Sequence, residues 1–496
     1  MGNFNLNSHQ AISPMAIIAR NSVFVFMARA VEVIFGLVSI SLIARYLDIK
    51  LYGLYAYITS IIAVLIPLTY FGIQRILIRD IARDGKEAGR YLGTAVIGRT
   101  LFSAVLVVAV YLFTVLAGFD RLSTEAILIF TASEIILSYV ALFISVYTAI
   151  EKMGIDTVLT AISRVFNLAI LIAVIHFDLG FVHLFTSMLV SSIFTLVVAL
   201  LITYKGIGRP DYKLDGVLLK YFFKESYPLV IVAFLTSALF RVDIFVLKYF
   251  RDIEEISLFF APHSIITRLQ VVPIALTAVI FPSLSRSTGT LKDTFHSIYE
   301  KAFKFLFVIS LPVTVLGFSF AEEFIALFFG PNFAGAAQAF KIMIWTVNIM
   351  FLECLFGFIL LAIHEQKFMA INSAFILVVN FILDVLLVPS YGYMGASIGT
   401  LIAYILRTTS SYTYVSIKTR SIPVIYVLSK PLLGGALMYI LIFKLKEISP
   451  FISIAAGLLA YSCTLFFTKH FTAGEWATIG GIFIRKQDKG FNNQIP

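Results

Sequence analysis

Cysteine is almost absent from the chain: Cys354 and Cys463 are the only two among 496 residues. Neither has another cysteine or a histidine at metal-ligand spacing, which excludes a disulfide framework and a zinc site. Charged residues are scarce too, 13% of the sequence against 60% hydrophobic. With a mean hydropathy of +0.95, that scarcity excludes a soluble globular protein. No stretch between apolar runs is long enough for a separate soluble domain; the longest covers 205–226. A cleavable leader is not expected, because a polar lead precedes an apolar run too long for a signal-peptide core. Function must therefore reside among the apolar segments themselves.

What is present is a succession of about fourteen apolar runs, each near the ~20 residues that cross a hydrocarbon core. They extend from 21–44, through 227–247 and 257–283, to 450–468. The fold class they predict is an all-α integral membrane protein of two six-helix lobes and a terminal helix pair. The expected parts are a lead over 1–14, a first lobe over 15–204, a linker over 205–226, a second lobe over 227–417, the pair over 418–470 and a tail over 471–496. The net charge of +10 is not distributed as in a nucleic-acid-binding protein. Arg75, Arg79, Arg83, Lys86 and Arg90, the segments 205–224, 286–304 and 418–430, and the tail from 469 to 489 fall on one side of such a bundle. That bias, about three to one, follows the positive-inside rule; it predicts both termini in the cytoplasm and an anionic leaflet, not DNA, as the basic residues' neighbour.

Two distant segments resemble each other. RYLDIKLYGLYAYI (45–58) and KYFRDIEEISLFFAP (248–262) each carry an aromatic, an acid-containing turn, then a small residue, leucine and an aromatic. Asn167 and Gly180 are echoed by Asn380 and Gly392. An even number of crossings separates the equivalent points, so the two halves share an orientation and an axis along the membrane normal, with a solute path between them.

Charges inside apolar runs carry the functional signal, because each costs roughly 2.5–3.5 kcal/mol near the middle of a membrane helix. Six arginines lie there, Arg29, Arg99, Arg164, Arg241, Arg268 and Arg407, with five acids, Glu32, Glu134, Asp243, Glu353 and Asp384. Helical spacing gathers several onto stripes: Arg29, Glu32 and Gly36; Thr131, Glu134 and Ser138; Thr160, Arg164 and Asn167; Thr400, Tyr404, Arg407 and Ser411. Arg241 and Asp243 are about 200° apart on an ideal helix, so they are expected to face different surroundings, Arg241 with Ser237 and Asp243 with Thr236. Arg29, Arg164, Arg241, Arg268 and Arg407 are the candidates for a central cationic cavity that binds substrate. Glu32, Glu134, Asp243, Glu353 and Asp384 are candidates for ion coupling or for charge partners, and ion pairs that merely fix helix packing are the alternative throughout. Arg99 and Arg164 could also snorkel toward the cytoplasmic side. A guanidinium cannot shed its proton and its planar fork suits phosphate and carboxylate, so a chamber rich in arginine calls for an anion.

Other patterns lose their appeal in context. GTAVIGRT (93–100) has the spacing of a phosphate-binding loop but carries Arg99 in place of lysine, inside an apolar run with no preceding strand. GASIG (395–399) reads as a close helix contact. His263 could carry a proton but reads first as an interior histidine. No catalytic motif, metal site or cofactor is expected.

The segments FMARAVEVIFGLVSISLIARYLDIKLYGLYAYI, RDIEEISLFFAPHSIITRLQVVPIALTAVIFPSLSR, FFGPNFAGAAQAFKIMIW and NFILDVLLVPSYGYMGASIGT resemble the bacterial polysaccharide-repeat-unit flippases, or O-antigen transporters. These belong to the multidrug, oligosaccharidyl-lipid and polysaccharide exporter superfamily. The resemblance implies an inner-membrane protein, not an enzyme, that moves an undecaprenyl-diphosphate-linked oligosaccharide from the cytoplasmic to the periplasmic leaflet by alternating access. It implies membrane lipids as surroundings, a polysaccharide polymerase and a chain-length regulator as companions, action as a monomer and no nucleic acid. Related lipid II flippases place arginines of their first and eighth helices near the diphosphate, and Arg29 and Arg268 match by location. A cation-coupled multidrug exporter of the same superfamily is the alternative, disfavoured by more arginines than acids.

Overall fold

The computed structural model describes residues 14–471 apart from 71, 207, 209, 214 and 289–291. The expected lead (1–14) and tail (471–496) lie outside the described residues except at their boundary positions. Among the described residues all regular structure is helical, the arrangement that satisfies backbone polar groups within lipid without closing a barrel.

A first bundle holds α1 (Pro14–Tyr46), α2 (Ile49–Leu65), the short α3 (Pro67–Tyr70), α4 (Ile73–Arg83), α5 (Ala88–Leu116), α6 (Arg121–Ala149), α7 (Gly154–His176) and α8 (Phe181–Gly206). A second holds α9 (Gly216–Leu239), α10 (Val242–Phe250), α11 (Ile253–Leu269), α12 (Val271–Ser287), α13 (Lys292–Ser319), α14 (Ala321–Phe329), α15 (Ala336–Met343), α16 (Thr346–Ala362) and α17 (Gln366–Lys418). The pair α18 (Val424–Leu445) and α19 (Pro450–Phe467) packs on α13. Within the first bundle α6 lies on α8 and α1 on α7; within the second, α10 and α16 lie on α17.

Among the described residues eleven helices are long and apolar enough to cross a membrane, or thirteen if each of two bent pairs is one span. The expected fourteen requires dividing α17, whose 53 residues run through a kink at Gly392 (φ 56°, ψ −137°). The linker is shorter than the sequence implies, since 216–226 already belong to α9. Lys220 and Lys224 made that stretch read as loop, but both are exposed, and Asp215 caps the helix by accepting from the Val217 and Leu218 amides at 3.1 and 3.0 Å.

Helix α5 shows why the sequence is so greasy. Its face of Val105, Val108, Leu112 and Leu116 is exposed, whereas Ala95, Arg99, Ser103, Leu106 and Val110 point inward. Apolar surface faces outward, where lipid is the solvent, and small or polar residues face the interior. Many interior hydroxyls are satisfied by their own helix, as where Ser60 donates to the Ala56 carbonyl at 2.6 Å and Thr131 to that of Ile127 at 2.7 Å.

The bundles close on each other at the end where α1 stops and α2 begins, called here the far end. There Ser41 donates to the Phe328 carbonyl and Arg45 to that of Leu327, both at the C-terminus of α14, where a cation meets the negative end of the helix dipole. Helix α2 crosses α11 so closely that a Cβ on Gly53 would lie 2.1 Å from the Ile253 carbonyl oxygen. The buried Tyr52 ring adds an aromatic plug, with centroids 6.0, 6.1 and 5.1 Å from Phe260, Phe329 and Phe333.

Candidate functional site

The helix carrying Arg241 and Asp243 is broken between them and its start. Helix α9 ends at Leu239, and Arg241 has non-helical dihedrals (φ −131°, ψ −8°) before α10 resumes. The break turns the two charges apart, as expected, but with partners other than Ser237 and Thr236. Arg241 reaches the first bundle, 3.5 Å from the Ser60 hydroxyl and with its guanidinium 5.5 Å above the Phe260 ring. Asp243 enters the second bundle, where the Thr400 hydroxyl and the Asn380 amide donate to it at 2.7 and 3.3 Å. Ideal helical angles mislead here because Phe240 and Arg241 do not continue the helix.

Arg241 opens onto a cavity of about 410 Å³ between the bundles. One wall comes from the second bundle: Arg241, His263, Ser264, Thr267 and Arg268. Arg268 donates to the Ser264 carbonyl at 2.6 Å, and it can lie along α1 because Gly36 has no side chain: a Cβ there would be 3.1 Å from its Nε. Neither Arg241 nor Arg268 forms an ion pair with a carboxylate among the described residues, whereas Arg164 and Arg407 both do. The opposite wall comes from α6, α7 and α8 and carries Ser133, Glu134, Ser163, Asn167, Ser191 and Ser192. Sequence reasoning passed over all of these but Glu134 and Asn167. The available signal was polar residues recurring inside apolar helices, the Ser191–Ser192 pair above all.

Arg164 also lines the cavity and is half of a clasp. Glu32 accepts from Arg29 at 2.7 Å and from Arg164 at 3.1 Å, with side chains 37%, 57% and 41% exposed respectively. These exposures mark the cavity's rim, away from the closed far end. Arg29 therefore sits at the rim and is linked through Glu32 to Arg164, the member of the clasp that lines the cavity.

Arg407 departs from the expected constellation. It lies inside the second bundle, paired with Glu353 at 3.0 Å, beside a separate pocket of about 200 Å³. Its stripe faces α16, so Ser411 also approaches Glu353, at 3.3 Å. Asp384 is fully buried beside Asp243. Gly399 and Gly395 of GASIG pack on Asp384 and on the Leu387 backbone, so the close neighbour of that glycine pair is the other arm of α17. Arg99 does not snorkel. It is fully buried within α5, donates to the Ser138 carbonyl and, at 2.9 Å, to that of Tyr70, and lies over the Tyr70 ring.

Comparison with known proteins adds relatives to this geometry. A family model described as polysaccharide biosynthesis protein matches residues 18–288; one described as lipid II flippase MurJ matches 264–484. A putative O-antigen transporter of Shigella flexneri is 24% identical over 415 residues, 78% of this chain and 95% of that protein. A probable low-salt glycan biosynthesis flippase, Agl15, of Haloferax volcanii is 21% identical over 401 residues, 80% and 84% of the two chains. The solved lipid II flippase MurJ in an inward closed conformation superposes with a TM-score of 0.75 at 18% identity, over 91% of this chain and 99% of that one. An inward-facing multidrug resistance MATE family transporter of the MOP superfamily gives 0.63 at 14% identity, over 78% and 94%. These likenesses in three dimensions establish a shared fold.

Proposed function

The chain belongs to the polysaccharide biosynthesis protein family and is a lipid-linked oligosaccharide flippase of the MOP superfamily, not an enzyme; on this premise we propose how it selects and carries its cargo. The substrate is an undecaprenyl-diphosphate-linked repeat unit, moved from the cytoplasmic to the periplasmic leaflet of the inner membrane. Both termini are cytoplasmic, the far end is periplasmic, and the chain acts as a monomer that supplies a polymerase and a chain-length regulator.

The observation that carries the reading is the pair Arg241 and Arg268, two guanidinium groups on one cavity wall without ion-paired carboxylates. Uncompensated cations in an apolar bundle are costly unless an anion or water meets them, and a diphosphate offers one phosphoryl group to each. Arg164 and Arg29, held by Glu32 at the rim, receive the headgroup first. Arg407, with Glu353, holds the second bundle together and does not bind substrate.

The sealed far end and the exposed rim support a state open to the cytoplasm. Residues 15–204 and 227–417 rock about the cavity, the glycan passes through water, and the polyprenyl tail stays in lipid, so no sugar hydroxyl loses its hydrogen bonds in hydrocarbon. Asp243 and Asp384, buried together with Asn380 and Thr400, are the groups that a coupling cation or proton neutralises. Arg241→Ala and Arg268→Ala should each abolish surface polysaccharide at unchanged protein level. Normal surface polysaccharide in both variants would contradict the assignment.

A further inference from the structure

The two walls of the cavity differ in kind. The wall from the second bundle carries Arg241, just before α10, and Arg268 on α11, neither ion-paired among the described residues. The wall from α6, α7 and α8 carries hydroxyls, one amide, one carboxylate and Arg164, a cation already held by Glu32. Helices facing only each other would use alanine or leucine at such positions, because an interior polar group without a partner is destabilising.

Several groups on this wall lack partners. Ser133 is 1% exposed and its hydroxyl has no hydrogen bond. Glu134 and Asn167, both cavity-lining, make no side-chain hydrogen bond or ion pair among the described residues. Ser191 donates to the Ser163 carbonyl at a long 3.3 Å, and Ser192 donates to the Leu189 carbonyl at 2.8 Å, leaving its lone pairs free to accept. Ser163 and Asn167 are four residues apart on α7 and share a face. Tyr55 stands between the walls, in electrostatic reach of Arg241, Arg268 and Glu134.

We infer that the α6–α7–α8 wall is a carbohydrate subsite, in which Asn167 and Glu134 hydrogen-bond the sugar next to the diphosphate and Ser133, Ser163, Ser191 and Ser192 complete its polar lining. A phosphate is drawn to Arg241 and Arg268 on the other wall. A sugar, neutral and rich in vicinal hydroxyls, finds both an acceptor in the carboxylate and a donor and acceptor in the amide. The opposed polarities orient the headgroup across the cavity and make this wall the place where one repeat unit is told from another. A site built to hydrogen-bond its ligand discriminates strongly against analogues lacking the matching group.

The inference rests on the flippase reading, and two probes separate them: undecaprenyl diphosphate without sugar, and the lipid-linked repeat unit extracted from the native cells. Both are titrated against the full chain in nanodiscs. The wild type should bind the glycosylated lipid more tightly than the bare one. Asn167→Ala and Glu134→Gln should each weaken the glycosylated lipid by about tenfold, the worth of one good hydrogen bond, and leave the bare lipid within about twofold, which also certifies their folding. Arg268→Ala should weaken both. Wild-type affinity of both variants for the glycosylated probe, or equal weakening of both probes, overturns the subsite. A wild type that binds the bare lipid but gains nothing from sugar overturns the subsite and leaves the flippase reading standing; one that binds neither probe defeats that reading itself.

Discussion

Gly53 and Ser257 stand at matching positions of the two repeated segments, and they touch. A Cβ on Gly53 would lie 2.8 Å from the Ser257 hydroxyl oxygen, and that hydroxyl donates to the Ile49 carbonyl. The repeat noticed in the sequence therefore meets itself where the bundles seal the far end. Gly53→Leu cannot form this contact, with the Ile253 carbonyl only 2.1 Å from the new Cβ. The variant should insert normally, lose transport by at least about tenfold, and expose a cysteine placed at Thr59 to an impermeant thiol reagent from the periplasmic side. A cysteine still protected in Gly53→Leu would show that the contact is not the seal.

Glu32 holds two arginines at an exposed rim, so its worth to folding is small. Glu32→Gln should cost less than about 1 kcal/mol of stability while releasing Arg29 and Arg164 as cations. Affinity for bare undecaprenyl diphosphate should rise severalfold, read by titration in nanodiscs. Weaker binding would mean that the clasp positions Arg164 for the substrate and does not restrain it.

Arg99 acts at a distance from the cavity. Its guanidinium joins the Tyr70 carbonyl, at the end of α3, to the Ser138 carbonyl on α6. Arg99→Ala removes a fully buried side chain and should destabilise the protein by about 2–4 kcal/mol, seen as a lower thermal midpoint in detergent. Binding of the bare lipid at low temperature should be unchanged. An unchanged midpoint would contradict the buried placement.

Acid should loosen the start of α9. The Leu218 amide, followed by Arg90, holds the Asp215 carboxyl below its ordinary value. A lowered folded value stabilises the cap above the ordinary carboxylate range and loses that contribution as pH falls through the lowered value. A spin label at Val217 should gain mobility only below about pH 4, and Asp215→Asn should remove the pH step. Mobility independent of pH in the wild type would contradict the cap.

Helix content, the in-membrane charges and the repeat were legible because each is a local pattern: greasy runs, isolated arginines, and a turn written twice. What was illegible depends on departures from ideal helices and on the choice of neighbour. The break at Phe240 and Arg241 has no proline or glycine to announce it, yet it sends Arg241 to Ser60. Arg407, like Arg268, follows an apolar run, and only the fold reveals that Glu353 already neutralises it. Arg99 lies in the outer turns of a run by sequence count, which allowed snorkelling, but the Tyr70 and Ser138 carbonyls hold it inside. The serines of α6 and α8 gave only the signal of their recurrence inside apolar runs, since a hydroxyl that bonds its own helix and one that faces a cavity look alike in a sequence.

The central claim, that Arg241 and Arg268 carry a diphosphate-linked glycan across the bilayer, is tested most directly by a leaflet-resolved assay of lipid-linked glycan in cells whose only copy is Arg241→Ala/Arg268→Ala. The account predicts accumulation on the cytoplasmic leaflet at normal protein level. Lipid-linked glycan reaching the periplasmic leaflet at the wild-type rate would contradict it.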